Sequence, residues 1–375
     1  MGKIYTALGL MSGTSGDGVD ASLISSDGID QYSKITNKYF QYDQQIYENL
    51  HNLRGKILRS QDLEKNANEI NKLEKELTLF HAKVITKFFD LIDQKVDLIG
   101  FHGQTIFHNS LEKISKQIGD GNLLSQLTKK TVVYDFRQND IQNGGEGAPL
   151  VPIFHRLIVK EKNIELPVCI LNIGGISNLT LINEYDKNNF LSRDLGPGNC
   201  LIDEWIRKNT KNKFDNNGEI AKKGKTNNLI LNQAMDNFDN SLNQNKLSFD
   251  NKDFSLGFVR GLSLEDGAAT LTEFTGRIIG AGLFSFLPSV KKKFWKILIC
   301  GGGRKNKTLI EKINNAMPEN FLIQSIDNYG IDGDYVESQA FAYLAIRSYL
   351  GLPISFPKTT GCKNPTTGGK IVKNF

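Results

Sequence analysis

The chain of 375 residues is long enough for about two domains of ordinary size. The net charge is only +5, the lysines are spread along helix-like stretches, and no basic-aromatic array or nucleic-acid motif occurs, which argues against a nucleic-acid partner. Four cysteines stand singly at 169, 200, 300 and 362, no apolar run is long enough to span a membrane, and no signal peptide precedes the first strand, so buried thiols in a reducing cytoplasm are expected.

Residues 4–11 are an apolar run with β-branched and aromatic members, which reads as a buried strand. Residues 12–18, SGTSGDG, suit only a turn, and residues 19–24 resume an apolar strand. A glycine-rich turn lets backbone N–H groups approach an anion, and Thr14 and Ser15 add hydroxyls. Asp17 and Asp20 stand where Mg²⁺ would mediate between carboxylate and phosphate. The alternative is a glycine-rich hairpin with no ligand. A P-loop is excluded, because the Gly-Lys-Ser/Thr ending is missing and a strand follows.

Residues 31–58 suggest a strand around residues 38–42 and then a short helix. Residues 60–93 predict one long helix, capped by Ser60, with an apolar stripe at Leu63, Ala67, Ile70, Leu73, Leu77, Phe80, Val84, Phe88 and Ile92. His81 lies in that stripe and reads as structural. Residues 96–101, VDLIGF, predict a short strand that empties into a polar fan from His102 to His108. A hydrogen-bonded structural histidine pair and a substrate contact are both open there. A short helix over residues 122–129 and a strand over residues 131–136 lead to Arg137, Asp140 and the run GGEG, which suits a chain crossing between domains.

Residues 167–182, PVCILNIGGISNLTLI, repeat the opening design of strand, glycine turn and strand, which points to an internal duplication. Asp194 precedes the rigid turn Gly196-Pro197-Gly198 and a helix that begins near Asn199. A fixed loop there would suit a general base, and an Asp capping a turn is the plainer reading. Residues 208–255 read as peripheral, with one helix at about residues 227–238. Residues 263–286 and 335–350 predict two further long helices, the second opened by Asp334 with Glu337 in its first turn. Between them, residues 296–300 form a buried strand before Gly301-Gly302-Gly303, and a helix follows from about residue 306, an arrangement suited to a nucleotide. The tail after Gly351 is loop-like.

Two strand-turn-strand units and a later strand-GGG-helix resemble the phosphate and adenosine motifs of the actin, sugar-kinase and heat-shock-chaperone ATPase superfamily. Within it, the chain resembles the anhydro-N-acetylmuramic acid kinase family. The matching stretches are GLMSGTSGDGVDA from Gly9, GFHGQTIFH from Gly100, DFRQND from Asp135 with GGEGAPLVP, and LNIGGISNLT from Leu171. They continue with DLGPGN from Asp194, FDNNGEIAKKG from Phe214, ATLTEFT from Ala269, GGGRKN from Gly301, ESQAFAYLA from Glu337 and Thr360-Gly361. The set spans nearly the whole chain in one order. One departure stands before the Ala269 helix. The family usually carries Lys-Ser-Thr-Gly-Arg-Glu there, and this chain has SFDNKDFSLGFVRG over residues 248–261, a change expected to leave Asp194 untouched.

The resemblance implies an α/β fold of two actin-like, ribonuclease H-like duplicated domains with an interdomain cleft. Residues 1–130, joined by the tail at 358–375, are expected to form the first domain and residues 131–357 the second. It implies ATP and Mg²⁺ as cofactors, a small sugar substrate, and a homodimer without nucleic acid or membrane. The implied reaction opens the 1,6-anhydro bridge of 1,6-anhydro-N-acetylmuramic acid with water and phosphorylates the 6-oxygen. Asp194 would be the base and Glu337 would help orient the water. Gly13, Thr14, Ser15, Gly16, Asp17, Gly18, Val19 and Asp20 would hold the phosphates, with Asp17 near the metal. Gly174 and Gly175 would form the second phosphate turn, and Gly301, Gly302 and Gly303 would face adenosine. His102, Gln104, Arg137 and Asp140 are candidates for sugar contact. The rival readings are another sugar kinase of the superfamily and a non-catalytic ATP-binding sugar sensor.

Overall fold

Leu8 and Leu10, on a first strand with a partner on each side, are fully buried in one apolar core with Leu50, Leu73 and Leu77. The computed structural model describes residues 2–185, 190–242, 248–287 and 295–375. Along the chain run β1 (Tyr5–Ser12), β2 (Gly18–Ser26), β3 (Tyr32–Gln41), α1 (Gln44–Lys56), α2 (Gln61–Lys65), α3 (Ala67–Phe89), β4 (Leu98–Asn109), β5 (Ile114–Ile118), α4 (Gly121–Thr128), β6 (Thr131–Tyr134), α5 (Gln138–Gln142) and α6 (Pro152–Glu161). Then come β7 (Val168–Ile173), β8 (Ile176–Ile182), β9 (Phe190–Pro197), α7 (Cys200–Asn209), α8 (Glu219–Lys223), α9 (Asn228–Leu242), α10 (Leu264–Phe286), β10 (Trp295–Cys300), α11 (Lys307–Asn315) and β11 (Phe321–Ser325). The chain closes with α12 (Val336–Tyr349), α13 (Pro357–Thr360) and β12 (Lys370–Val372).

The elements fall into two units. Unit 1 is Met1–Ile164, Tyr185–Leu191 and Tyr335–Phe375, and unit 2 is Glu165–Glu184 and Ser192–Asp334. In unit 1 the sheet order is β12-β6-β4-β1-β2-β3, with β5 pairing β4. In unit 2 it is β11-β10-β7-β8-β9. Read from β3 and from β9, both sheets run third strand, second, first, fourth, and then the next strand on the path, which is the sixth in unit 1 (β5 lies off the path) and the fifth in unit 2. The first two strands are antiparallel in both (Leu8↔Leu23, Leu171↔Leu179), and the next two lie parallel to the first (Leu8↔Ile99, Leu171↔Ile299). The duplication expected from two glycine turns is thus a duplication of sheet topology.

The unit boundaries differ from the expected ones. β6 lies parallel to β4 (Ile99↔Val132), which extends unit 1 past residue 130. The helix α12 belongs to unit 1 as well, since it lies directly on the sheet. A Cβ on Gly9 would stand 1.9 Å from the Ser338 carbonyl oxygen, and one on Gly100 would stand 2.3 Å from that of Phe341. Only glycine lets the helix backbone come so close. The tail joins unit 1 through β12, antiparallel to β6.

Three element readings change. The helix over residues 60–93 is broken at Asn66 (φ −105°, ψ 16°), whose side chain and amide both donate to the Asp62 carbonyl. Ser60 makes no capping bond; the Asp62 carboxylate takes the Leu58 and Arg59 amides. The stripe still buries Ile70, Leu73, Leu77, Val84 and Phe88, and His81 donates from Nδ1 to the Leu77 carbonyl at 2.7 Å. The strand at residues 96–101 runs on to Asn109, because β5 offers backbone partners (Gln104↔Ile118, His108↔Ser115). Asp194 lies inside β9 rather than on a loop. Of the stretch read as peripheral, residues 243–247 lie outside the described residues.

Candidate active site

In unit 1 the glycine turn spans residues 13–17, and four of its five carbonyls, those of Gly13, Thr14, Ser15 and Asp17, are taken up. Gln104 Nε2 donates to the Gly13 carbonyl at 3.0 Å, and the Gly16 amide donates to it at 3.1 Å. Arg54 Nη1 donates to Thr14 at 2.6 Å and His51 Nε2 to Ser15 at 3.1 Å, both from α1. The Tyr42 amide, at 2.9 Å, and the Tyr39 hydroxyl, at 3.0 Å, both reach the Asp17 carbonyl. The Thr14, Ser15 and Asp17 amides have no acceptor among the described residues. A turn whose carbonyls are tied back and whose amides stay uncommitted suits an anion. Ser15 donates to Asp17 Oδ1 at 2.6 Å. Gly18, Val19 and Asp20 begin β2, and Val19 belongs to the apolar core.

Beneath the turn, Ser12 Oγ stands 2.6 Å from Gln104 Oε1, 2.8 Å from the Gly18 carbonyl and 2.7 Å from the Tyr42 hydroxyl. Both oxygens of the first two pairs only accept, so Tyr42 donates to Ser12. Gln104, fully buried, therefore anchors the turn. Arg137 Nη2 lies 3.0 Å from His102 Nε2. A guanidinium only donates, so Nε2 accepts and Nδ1 carries the proton, donating to the Gly103 carbonyl at 2.9 Å. Burial, with Arg137 alongside, pushes His102 down to about 3, so it is neutral at pH 7. Asp140 accepts the Gly147 amide at 2.8 Å and the Thr360 hydroxyl at 2.6 Å, fastening the GGEG run to α13. Of the four candidates for sugar contact, Gln104 and Asp140 are thus seen tying the fold internally, while His102 and Arg137 form a pair.

In unit 2 the structure brings three glycine segments together. The Gly198 and Cys200 amides donate to the Gly175 carbonyl at 2.8 and 3.2 Å, and the Asn199 amide donates to Gly174 at 2.7 Å. A Cβ on Gly198 would stand 2.3 Å from the Gly174 oxygen. Gly301 (φ +78°) would meet Asn172 Oδ1 at 2.4 Å, and Gly303 would meet the Ile173 side chain at 2.2 Å. The GGG run leads into a single 3-10 turn, and α11 is capped by Asn306, whose side chain accepts the Leu309 amide at 3.0 Å. Arg304 ties this run down. It donates to the Gly301 carbonyl at 3.1 Å and to Asp327 at 2.8 Å, and it pairs with Asp334. Asp334 is therefore an ion-pair partner of Arg304 and Lys305, not the cap of α12.

Asp194 is buried on β9, two residues ahead of Gly196. Its Oδ2 accepts the Phe249 amide at 2.8 Å. The stretch that departs from the family pattern therefore does touch Asp194, contrary to expectation. Glu337 is the second residue of α12, in its first turn. Sequence reasoning missed Arg54, His51, Tyr39 and Tyr42. Only the regular spacing of His51 and Arg54 on one helix face carried any signal, and no rule ties that face to a distant turn.

A sheet built twice to one plan, each copy with a glycine turn after its first strand and a third glycine run after β10, defines a duplicated α/β phosphotransferase. The family model for anhydro-N-acetylmuramic acid kinase matches residues 5–374. The anhydro-N-acetylmuramic acid kinase of Pelagibacter ubique is 57% identical over 375 residues, covering 100% of both chains. Those of Agrobacterium fabrum (38% identical, 100% of both chains) and Zymomonas mobilis (39% identical, 97% of this chain and 99% of the other) are similar too. The chain belongs to the anhydro-N-acetylmuramic acid kinase family.

Proposed function

We propose that this chain converts 1,6-anhydro-N-acetylmuramic acid, water and ATP into N-acetylmuramic acid 6-phosphate and ADP, as a step in recycling cell-wall amino sugars. What supports the reading most is that the family's ordered motifs fall at both glycine turns, at the GGG run and at a buried carboxylate on β9.

In this account Asp194 takes a proton from water, and the water oxygen bonds to the anomeric carbon. The bond from that carbon to the 6-oxygen breaks, and its electron pair stays on the 6-oxygen. The 6-oxygen then bonds to the γ-phosphorus in line, and the bond to the β-phosphate oxygen breaks to release ADP. The proton on Asp194 returns to solvent. An ordinary carboxylate is ionised at neutral pH and needs no special environment to act so. Glu337 helps orient the water. The amides of Thr14, Ser15 and Asp17 hold phosphate oxygens, Gly174 and Gly175 form the second phosphate turn, and residues 301–303 face adenosine. His102 stays neutral and holds Arg137, whose charge suits the lactyl carboxylate of the sugar.

Asp17 fits Mg²⁺. It offers a hard carboxylate beside uncommitted amides, and the described residues hold no cluster of three or more ligating side chains, so phosphate and water would complete the shell. Bound there, the ion would neutralise charge on the phosphates. All four cysteines are free and buried, and no helix among the described residues is long and apolar enough to cross a membrane. Free thiols and a need for ATP support a cytoplasmic setting, and the family resemblance supports a homodimer.

Asp194→Asn tests the central role. The variant is expected to bind ATP with unchanged affinity by calorimetry and to lose at least about 10³ of kcat. Substantial residual turnover would sink the assignment of the base.

A further inference from the structure

Residues 248–261 depart from the family pattern and reach Asp194. The Phe249 N–H donates to Asp194 Oδ2 at 2.8 Å, and Asp194 is only 6% exposed, so water competes little for this bond. The segment has almost no regular backbone. It holds two short 3-10 turns, Asn251–Asp253 and Leu256–Val259. The first is locked by its own side chains: Asp250 accepts the Lys252 amide at 3.1 Å, and Asp253 accepts the Asp250 amide at 2.7 Å.

Its anchorage to the rest of unit 2 is aromatic. Phe249 and Phe254 lie 5.6 Å apart by ring centroid, and they stand 6.4 and 6.3 Å from Phe238 of α9. Phe238 lies 6.2 Å from Phe274 of α10, and Phe258 lies 5.0 Å from the same ring. Ring pairs at these spacings are favourable and directional. The rings thus decide where the Phe249 amide points.

We propose that the Phe249 backbone amide is a positioning group for Asp194, held in place by the phenylalanine cluster, and that it fixes the rotation of the carboxylate and favours its charged form. The proposal rests on Asp194 being the base. Physically, a donor aimed at a carboxylate stabilises the anion and resists rotation about the Cβ–Cγ bond. Because the donor is a main-chain group, the side chain at 249 matters only through its packing.

Two variants separate the parts. Phe249→Pro removes both the N–H and the phenyl ring, whereas Phe249→Ala keeps the N–H and removes only the ring's anchorage, so the difference between the two reports the N–H. For Phe249→Pro the acid limb of the kcat/KM–pH profile should move up by about one pH unit. Its kcat at pH 7 should fall about tenfold, with both KM values within about threefold of the parent. Phe249→Ala should shift the limb in the same direction by less. A role confined to stability would lower the melting temperature and leave the pH profile in place. If Phe249→Pro does not fold by circular dichroism, Phe249→Ala decides alone. An acid limb coincident with the parent's in the folded variants overturns the proposal. Asp194→Asn, run in parallel, separates the two readings. Turnover there overturns the base itself, whereas an inactive Asp194→Asn beside an unshifted Phe249 variant overturns only the positioning role.

Discussion

The two glycine turns sit at matching places in sheets of the same order, yet they are held by different means. In unit 1 a five-residue turn is tied down largely by side chains, from Gln104, Arg54, His51 and Tyr39. In unit 2 a two-residue turn is tied down by main-chain amides of Gly198, Asn199 and Cys200. Side-chain ties can be altered singly and leave the turn's own residues some freedom. Main-chain ties need backbones in contact, so they fix the glycines.

The histidines sharpen the contrast most. All five lie in unit 1. Burial pushes His81 down to about 4 and His155 to about 3, and burial with Arg137 pushes His102 to about 3. Each folded value is below the unfolded value of about 6.5. The unfolded chain therefore takes protons first as pH falls. The stability from keeping these rings neutral is complete above pH 6.5 and is lost from there down to about pH 4 for His81 and about pH 3 for His102 and His155, at roughly 2 kcal/mol per histidine by pH 5. Hydrogen exchange at pH 7 and pH 5 is expected to show β1 and β4 losing protection while β7 and β10 keep theirs. Equal loss in the two sheets would break the comparison.

The next largest effect is expected at Gly301. With φ +78° and a Cβ 2.4 Å from Asn172 Oδ1, Gly301→Ala should cost about 3 kcal/mol or more by urea unfolding. Gly13→Ala, with nothing within 4 Å of the new Cβ, should stay within about 0.5 kcal/mol. Smaller than at Gly301 is the effect of Arg54→Ala, which removes the donor to the Thr14 carbonyl. A single lost tie is worth about 1 kcal/mol, so KM for ATP should rise about fivefold with kcat nearly unchanged.

Much of this was legible in the sequence, and the reasons are specific. The strands β1, β2, β7, β8 and β10 announce themselves as apolar runs bounded by glycine, and the similarity of the two turns foretold the repeated sheet. What failed depended on partners distant in sequence. The polar run from His102 to His108 reads as a strand's end until β5 supplies hydrogen bonds to it. Asp334 reads as a helix cap until Arg304 claims it. The unit boundary at Ile164 depends on β6 pairing with β4, which no local pattern encodes. Part of the grip on the unit 1 turn comes from His51 and Arg54 on α1, a helix that carries no motif of its own.

The most direct test of the account is to incubate the protein with ATP, Mg²⁺ and 1,6-anhydro-N-acetylmuramic acid and to weigh the sugar product. The predicted product exceeds the substrate by one water and one phosphoryl group, and forms one-for-one with ADP. An unchanged anhydro-sugar, with phosphorylation only of sugars that carry a free 6-hydroxyl, would contradict it.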